Sequence, residues 1–352
     1  MLRSGRNKLK NVLVHVPDGF FDAPTSIATG LIAAGAVGVS LQRANREIRE
    51  TGPALAGLTA AFVFAVQMVN FPVGAGTSGH LLGGALAAAL VGPWTAVLVM
   101  STVLLVQGLL FADGGLTALG TNITLMGVIT VLVGYVLTRA LLQVLPRKVG
   151  SVVPAAIVGA LVSVPVAALA FTGLYVIGGA VDIPLGTLAT AMVGWHILVG
   201  IGEAVITAAV LSAVVATRPD LVYAARHLQR DLVLVDADGN TSTVSPDKPI
   251  ASKPTGRTLG VGIAVTFLVA GGLSLFASAH PDGLEFVGAT LGFEGAAKDS
   301  AVAGSPLADY GVSGIGNAEV SGALAGIIGV LVTIVVGLAI AKLASLRANR
   351  AS

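Results

Sequence analysis

The chain has 352 residues, 55% of them hydrophobic and 11% charged, with a formal net charge of +2 and a mean hydropathy of +0.89. So apolar a composition excludes an ordinary soluble domain and indicates an integral membrane protein, and the near-neutral charge leaves no electrostatic footprint for nucleic acid. The absence of cysteine removes thiolate metal sites and disulfides from consideration.

Apolar runs predict membrane segments at about 25–42, 54–71, 80–92, 93–111, 121–139, 150–180, 187–217, 258–279 and 318–343. The runs do not alternate apolar and polar as barrel strands would, so the expected fold is an all-α, polytopic transmembrane bundle of about nine segments, seven and then two. Gly and Ala are abundant and aromatics make up only 5%, which favours close helix packing. On the first segment Gly30, Ala34 and Gly38 recur every fourth residue, a smooth face for contact within this subunit or with a membrane partner. Just before it stands Val14-His15-Val16-Pro17-Asp18-Gly19-Phe20.

The third segment is too short to cross a bilayer at about 1.5 Å per residue. It reads as a helix that starts part-way into the membrane, with His80 at its N-terminal end and the uncharged, Gly-rich stretch Asn70–Gly84 leading into it. Gly92-Pro93-Trp94 then turns the chain into the fourth segment. An ionisable side chain at membrane depth is costly and usually faces a cavity. His15 and His80, with polar backbone at one membrane face, suggest a transition-metal site.

Asp113 and Asp182 fall at turns on the same face, where they cap turns or attract cations. In the seventh segment His196 and Glu203 are seven residues apart, two helical turns, and so share a face. They read as a proton relay, a support for the metal pocket, or a structural contact that fixes helix packing. The polar stretch 218–257 holds His227, expected to be solvated, and the turn signal Asp236-Ala-Asp-Gly239. A long loop, 280–317, opens with His280-Pro281-Asp282-Gly283-Leu284-Glu285 and echoes Pro17-Asp18-Gly19; both copies read as β-turns.

Lys and Arg orient the chain. With the N-terminus outside, the inner loops hold Arg43, Arg46 and Arg49, then Arg139, Arg147 and Lys148, then Arg218, Arg226, Arg230, Lys248, Lys253 and Arg257; the inner tail holds Lys342, Arg347 and Arg350. The outer loops hold only Lys298, and the one exception is the cluster Arg3, Arg6, Lys8 and Lys10.

HVPDGF near the start, NFPVGAGTSGHLLGGALAAALVGPWTAVLVM, LLFADGGLTALGTNITLMGV and HILVGIGEAVIT together resemble the substrate-capture membrane component of cobalt/nickel energy-coupling-factor transporters, the CbiM/NikM family. The last two segments with HPDGLE resemble the small CbiN/NikN (PDGLE) component of the same transporters, here fused in one chain. The resemblance implies a seven-helix metal-capture domain over 14–217, a cytoplasmic linker over 218–257 and a two-helix domain over 258–352. It implies Co(II) or Ni(II) as transported substrate, held by the free amino terminus, the amide nitrogen and imidazole of the second residue, and a histidine of the TSGHL loop. Carried onto this sequence, the imidazoles are those of His15 and His80, with the backbone and terminal nitrogens at Val14 and His15.

Four nitrogens in a plane suit Ni(II) or low-spin Co(II), and binding should weaken as protons compete for them. Asn70 and Ser78 are candidates for orienting an imidazole, or for ordinary loop hydrogen bonding. The sequence departs from the pattern because thirteen residues precede Val14. The expectation is that residues 1–13 are a non-native or untranslated extension and that position 14, a valine that GTG would encode as a start codon, begins the chain; the alternatives are a genuine tail or a processed leader. That start restores Met-His-x-Pro-Asp-Gly and removes the misplaced basic cluster.

The implied partners are a transmembrane coupling subunit, two cytoplasmic ATPase subunits and the lipid bilayer of a bacterial or archaeal cytoplasmic membrane. The chain itself has no Gly-x-x-x-x-Gly-Lys-[Ser/Thr] loop and reads as a transport subunit rather than an enzyme. A proton-coupled secondary metal transporter using His196 and Glu203 as relay is the rival. An intramembrane metallohydrolase would need an open metal position and a general base near the metal, and the sequence has no His-Glu-x-x-His pair.

Overall fold

The structure is a computed structural model that describes residues 15–74, 76–228, 232–235, 241–244 and 253–347. The expected start at Val14 and the extension 1–13 therefore lie outside the described residues.

Helix α1 (Ala23–Thr51) begins where Asp22 accepts the Thr25 N–H at 2.8 Å, with Pro24 in the first turn. Its helical end lies nine residues beyond the expected segment, because Arg43, Arg46 and Arg49 mark where the helix leaves apolar surroundings and not where it stops. Gly52, at φ 82°, turns the chain into α2 (Pro53–Gln67). Strands β1 (Phe71–Gly74) and β2 (Thr77–Gly79) pair antiparallel, Phe71 opposite Gly79 and Pro72 opposite Ser78. The chain then runs extended through His80 to Gly83 and enters α3 (Gly84–Val91). Gly92, at φ 94°, and Pro93 reverse it into α4 (Pro93–Leu110).

Helix α5 (Leu119–Asn122), a π-helical turn over Ile123–Ile129, and α6 (Thr130–Val144) form one apolar span, Leu119–Val144. Helices α7 (Val152–Gly178) and α8 (Leu185–Thr217) follow as a tightly packed pair. Short 3-10 turns at Pro219–Leu221 and Tyr223–Leu228 lead to an antiparallel hairpin, β3 (Leu232–Val235) with β4 (Thr241–Val244). The expected turn at Asp236–Gly239 falls between those strands but outside the described residues, and nothing is described of the His227 side chain. Helix α9 (Gly256–Gly271), the short α10 (Gly283–Leu291) and α11 (Ala318–Arg347) complete the chain.

Among the described residues, seven helical spans are long and apolar enough to cross a membrane: 23–51, 93–110, 119–144, 149–178, 185–217, 256–276 and 318–346. With α2 (15 residues) and α3 (8 residues) they correspond to the nine expected segments. Large apolar side chains such as Ile27, Leu31, Leu132, Ile177 and Val335 point outward, as on helices solvated by lipid. Helix α3 is the opposite case, since every residue of Gly84–Val91 is buried. At about 1.5 Å per residue α3 is about 12 Å long and α4 about 27 Å, so the β1–β2 hairpin and His80 reach well down into the bundle before α3 begins.

Glycine lets α3 sit that deep. A methyl at Gly84 would collide with the Thr130 side chain and the Val131 backbone, and one at Gly134 would collide with Ala85. Helix α11 is wedged among α1, α2, α4 and α9 rather than lying apart. Gly326, Gly329 and Gly337 admit Ala270, Phe64 and Ala60 against its surface, and Asn45 Nδ2 on α1 donates to the carbonyls of Ala344 and Ser345 at 3.2 and 3.0 Å. The first-helix glycines are used within the subunit in part: Gly30 abuts Gly120, whereas Gly38 has open space before it and Ala34 is exposed.

Candidate metal centre

The segment before α1 is tied down just after His15. The amide of Val16 is clamped by Asn122, whose Oδ1 accepts the Val16 N–H at 3.0 Å while its Nδ2 donates to the Val16 carbonyl at 3.1 Å. Asp18 accepts from Leu116 N at 3.2 Å and from Thr117 N at 2.7 Å, and its own carbonyl takes Lys298 N–H at 2.7 Å. Asn122 sits where the π turn begins, a feature often found at functional sites.

The segment carrying His80 is held differently. Glu203, fully buried on α8, accepts Leu82 N–H at 2.6 Å and Gly83 N–H at 2.9 Å, one on each carboxylate oxygen. These amides precede the first turn of α3, where a negative group is favoured by the helix dipole. Gln67 Nε2 adds a bond to the Leu82 carbonyl at 2.8 Å.

These supports bring the two imidazoles together, 5.5 Å between ring centroids and at 86° to each other. His15 is 2% exposed; its Nδ1 lies 3.1 Å from Asp113 Oδ2, and its Nε2 is buried with no hydrogen-bond partner. His80 Nδ1 is 3.0 Å from the Leu81 carbonyl, which requires a proton on Nδ1. His80 Nε2 is 3.7 Å from Asp282 Oδ2, longer than a hydrogen bond. A carboxylate or carbonyl on one ring nitrogen, with the other left to a ligand, is how proteins commonly present histidine to a metal.

A cavity of about 70 Å³ lies between them, lined by His15, His80, Asn122, His196, Asp282 and apolar side chains including Met126 and Met192. It exceeds the roughly 10–15 Å³ that one water needs, so a partly hydrated ion fits. Among the described residues no three His, Asp or Glu side chains form a complete metal cage. The two imidazoles could offer two nitrogens to an ion in this cavity. A chelate using the amide nitrogen of His15 would close a six-membered ring through Nδ1, the atom facing Asp113, and would require that contact to break.

The carboxyls beside the two rings are displaced in opposite directions. Burial pushes Asp113 up, but its pairing with His15 and the hydrogen bonds from His15 and Tyr310 outweigh this and hold it below the ordinary value. Asp282 is raised well above it, by burial first and by the neighbouring Glu285 carboxylate second.

The other expected residues are placed as follows. Ser78 does not turn to an imidazole: its Oγ donates to the His280 carbonyl at 2.7 Å and its N–H to the Pro281 carbonyl at 2.8 Å, docking the HPDG segment on β2. Asn70 accepts Ser278 N–H on its backbone carbonyl at 2.8 Å, and its buried Oδ1 has no partner. His196 and Glu203 do not form a pair. The His196 ring lines the cavity with Nδ1 2.7 Å from the Met192 carbonyl, while Glu203 serves the backbone ahead of α3. Asp282 is an N-cap, as its turn-like motif suggests, and forms a capping box with Glu285, but it also stands beside His80. Sequence reasoning gave Asp113 only a turn or a general cation-attracting role and missed Tyr310, whose hydroxyl donates to Asp113 Oδ2 at 2.6 Å. The repeated Pro-Asp-Gly motif was the one available signal for Asp282.

Residues 15–221 match a family profile described as the cobalt uptake substrate-specific transmembrane region, and 256–346 match the PDGLE domain. A protein of Archaeoglobus fulgidus provisionally named a fused nickel transport protein, NikMN, is 32% identical over 333 residues, 94% of this chain and 99% of its own. One of Haloquadratum walsbyi, provisionally named a metal transport protein, is 38% identical over 210 residues, 60% of this chain and 94% of its own. A crystal structure described as a transition metal transporter superposes with a TM-score of 0.51 at 30% identity, covering 57% of this chain and 92% of that one.

Proposed function

Because the chain belongs to the cobalt-uptake substrate-specific transmembrane family and carries a PDGLE domain in addition, we propose that it captures Ni(II) or Co(II) at the His15–His80 centre and passes the ion across the membrane. The observation that carries this reading is the pair of buried imidazoles facing one cavity, each with Nδ1 engaged and with Nε2 of His15 lacking any partner. A Cys-free site built on imidazole suits these borderline metals.

The finer assignment follows the same reasoning. The capture domain spans 14–217, the linker 218–257 and the PDGLE-type domain 258–352. The site opens to the outside, and the C-terminus lies inside. This orientation is supported by Arg43, Arg226 and their neighbours at the end opposite His15, where Arg226 pairs with Glu50 at 2.6 Å and Arg43 lies over the Trp94 ring at 4.8 Å. Uptake is driven by ATP through a transmembrane coupling subunit and two cytoplasmic ATPase subunits. The proton-relay reading loses support from the separate engagements of His196 and Glu203.

The test is the Ni(II) and Co(II) bound per detergent-purified chain, with His80→Ala alongside, and metal uptake by cells with and without candidate ATPase subunits. About one ion per chain, lost in His80→Ala, with ATP-dependent uptake, is the expected outcome. Absence of binding in the native chain overturns the capture reading, and uptake that follows a proton gradient without ATP overturns the coupling.

A further inference from the structure

Two of the chain's five methionines, Met126 and Met192, line the cavity of about 70 Å³. Both are buried. Methionine is commonly a flexible filler of irregular gaps. Here a gap remains beside two of them, so gap filling does not account for the pair. Their placement is that of ligands. Met192 and His196 stand four residues apart on α8, about one turn, so they share a face, and both line the cavity. His196 Nδ1 lies 2.7 Å from the Met192 carbonyl, which fixes the ring and makes Nε2 the nitrogen that a metal would use. Met126 comes from a different span and falls within the π-helical turn Ile123–Ile129, a form found mostly at functional sites.

Two thioethers and one imidazole are a soft and uncharged donor set. Thioethers select Cu(I) among the biological metals. An uncharged set also suits a single positive charge, because the cost of burying an ion rises with the square of its charge, and the rest of this wall is apolar, with Leu125, Ala167 and Phe171. We propose that Met126, Met192 and His196 form a binding site for a soft monovalent cation, Cu(I) or its redox-stable counterpart Ag(I). The site does not require His15 or His80 to hold metal, so it is independent of the capture reading. Where that reading holds, the shared cavity makes a soft cation an inhibitor of Ni(II) capture.

The experiment titrates Ag(I) into the detergent-purified full-length chain carrying 13C-methyl methionine and follows the five methyl signals. Met126→Leu and Met192→Leu assign two of them; leucine nearly conserves the volume, and circular dichroism checks that the helices persist. The expected result is about one Ag(I) per chain, with the methyls of Met126 and Met192 the two that shift, and an affinity lower by about tenfold or more in each variant and in His196→Ala. Signals of Met126 and Met192 that stay in place on addition of Ag(I) overturn the proposal. So does an Ag(I) affinity that survives the double methionine variant and is lost in His80→Ala, which would put the ion on the imidazole pair. Ni(II) binding to the same native sample reports on capture separately: Ag(I) bound at the two methionines without any Ni(II) binding would remove the capture reading and sustain this site.

Discussion

Glu203→Gln isolates the support of the His80 segment with almost no change of shape. In the native chain each carboxylate oxygen takes one backbone N–H, from Leu82 at 2.6 Å and Gly83 at 2.9 Å. Hydrogen bonds to a charged group contribute about 1.5–3 kcal/mol and neutral ones about 0.5–1.5, so the bond that glutamine retains weakens by about 1 kcal/mol. Its amide NH2 then faces the second N–H, and an unsatisfied buried donor costs about 1–3 kcal/mol. The total is about 2–4 kcal/mol, and it falls where the chain runs from His80 into α3. If metal binding requires this segment in place, only the ordered fraction binds and the apparent Kd rises in proportion. At about 1.4 kcal/mol per factor of ten, the expected loss is about 30- to 1,000-fold. Competition of Ni(II) between the purified variant and a chelating dye measures it, with circular dichroism to show that the helices persist. An affinity within about twofold of the native chain would refute the claim that Glu203 holds the metal loop.

Asn122→Ala removes both bonds to the Val16 amide and leaves a buried N–H; a loss of about 2–4 kcal/mol in the ordering of the His15 segment should appear as weaker Ni(II) binding in the same competition. Gly84→Ala drives a methyl into Thr130 and Val131; overpacking of this kind costs about 1–3 kcal/mol, which a lowered midpoint of thermal unfolding in detergent would register. Asp282→Asn keeps the N-cap of α10 but replaces the carboxyl beside His80 with an amide, so Ni(II) affinity should fall while the thermal midpoint stays within about a degree or two, since Asn and Asp cap nearly equally.

The bundle was largely legible because apolar runs and basic loops are local signals. Even the shortened third segment was readable, since Gly92-Pro93 closes it and the Gly-rich approach to His80 opens it. His15 and His80 were readable as ionisable residues out of place. Their partners were not. Asp113, Asp282 and Tyr310 stand in turns rich in Pro and Gly, where a carboxylate or hydroxyl is expected for local reasons, and no periodicity says which turn folds over which histidine. Asp282 illustrates the difficulty, because it does cap a helix as its motif suggests and its second role depends entirely on where β2 holds that helix. Glu203 was legible only as one of three open roles, for the opposite reason. Two turns of helix put it on the face of His196, but its nearest donors were backbone amides far away in sequence, those of Leu82 and Gly83.

One chain carries both the histidines and the loop that bears Asp282 and Tyr310, with α11 wedged against α1, α2 and α4. Covalent linkage makes docking of that loop an intramolecular event, at an effective concentration of about millimolar for short tethers. Dilution in the membrane therefore cannot separate the two, and their ratio is one to one at any expression level. A transporter assembled from separate polypeptides would have to regulate that ratio; here it is set by translation of a single message.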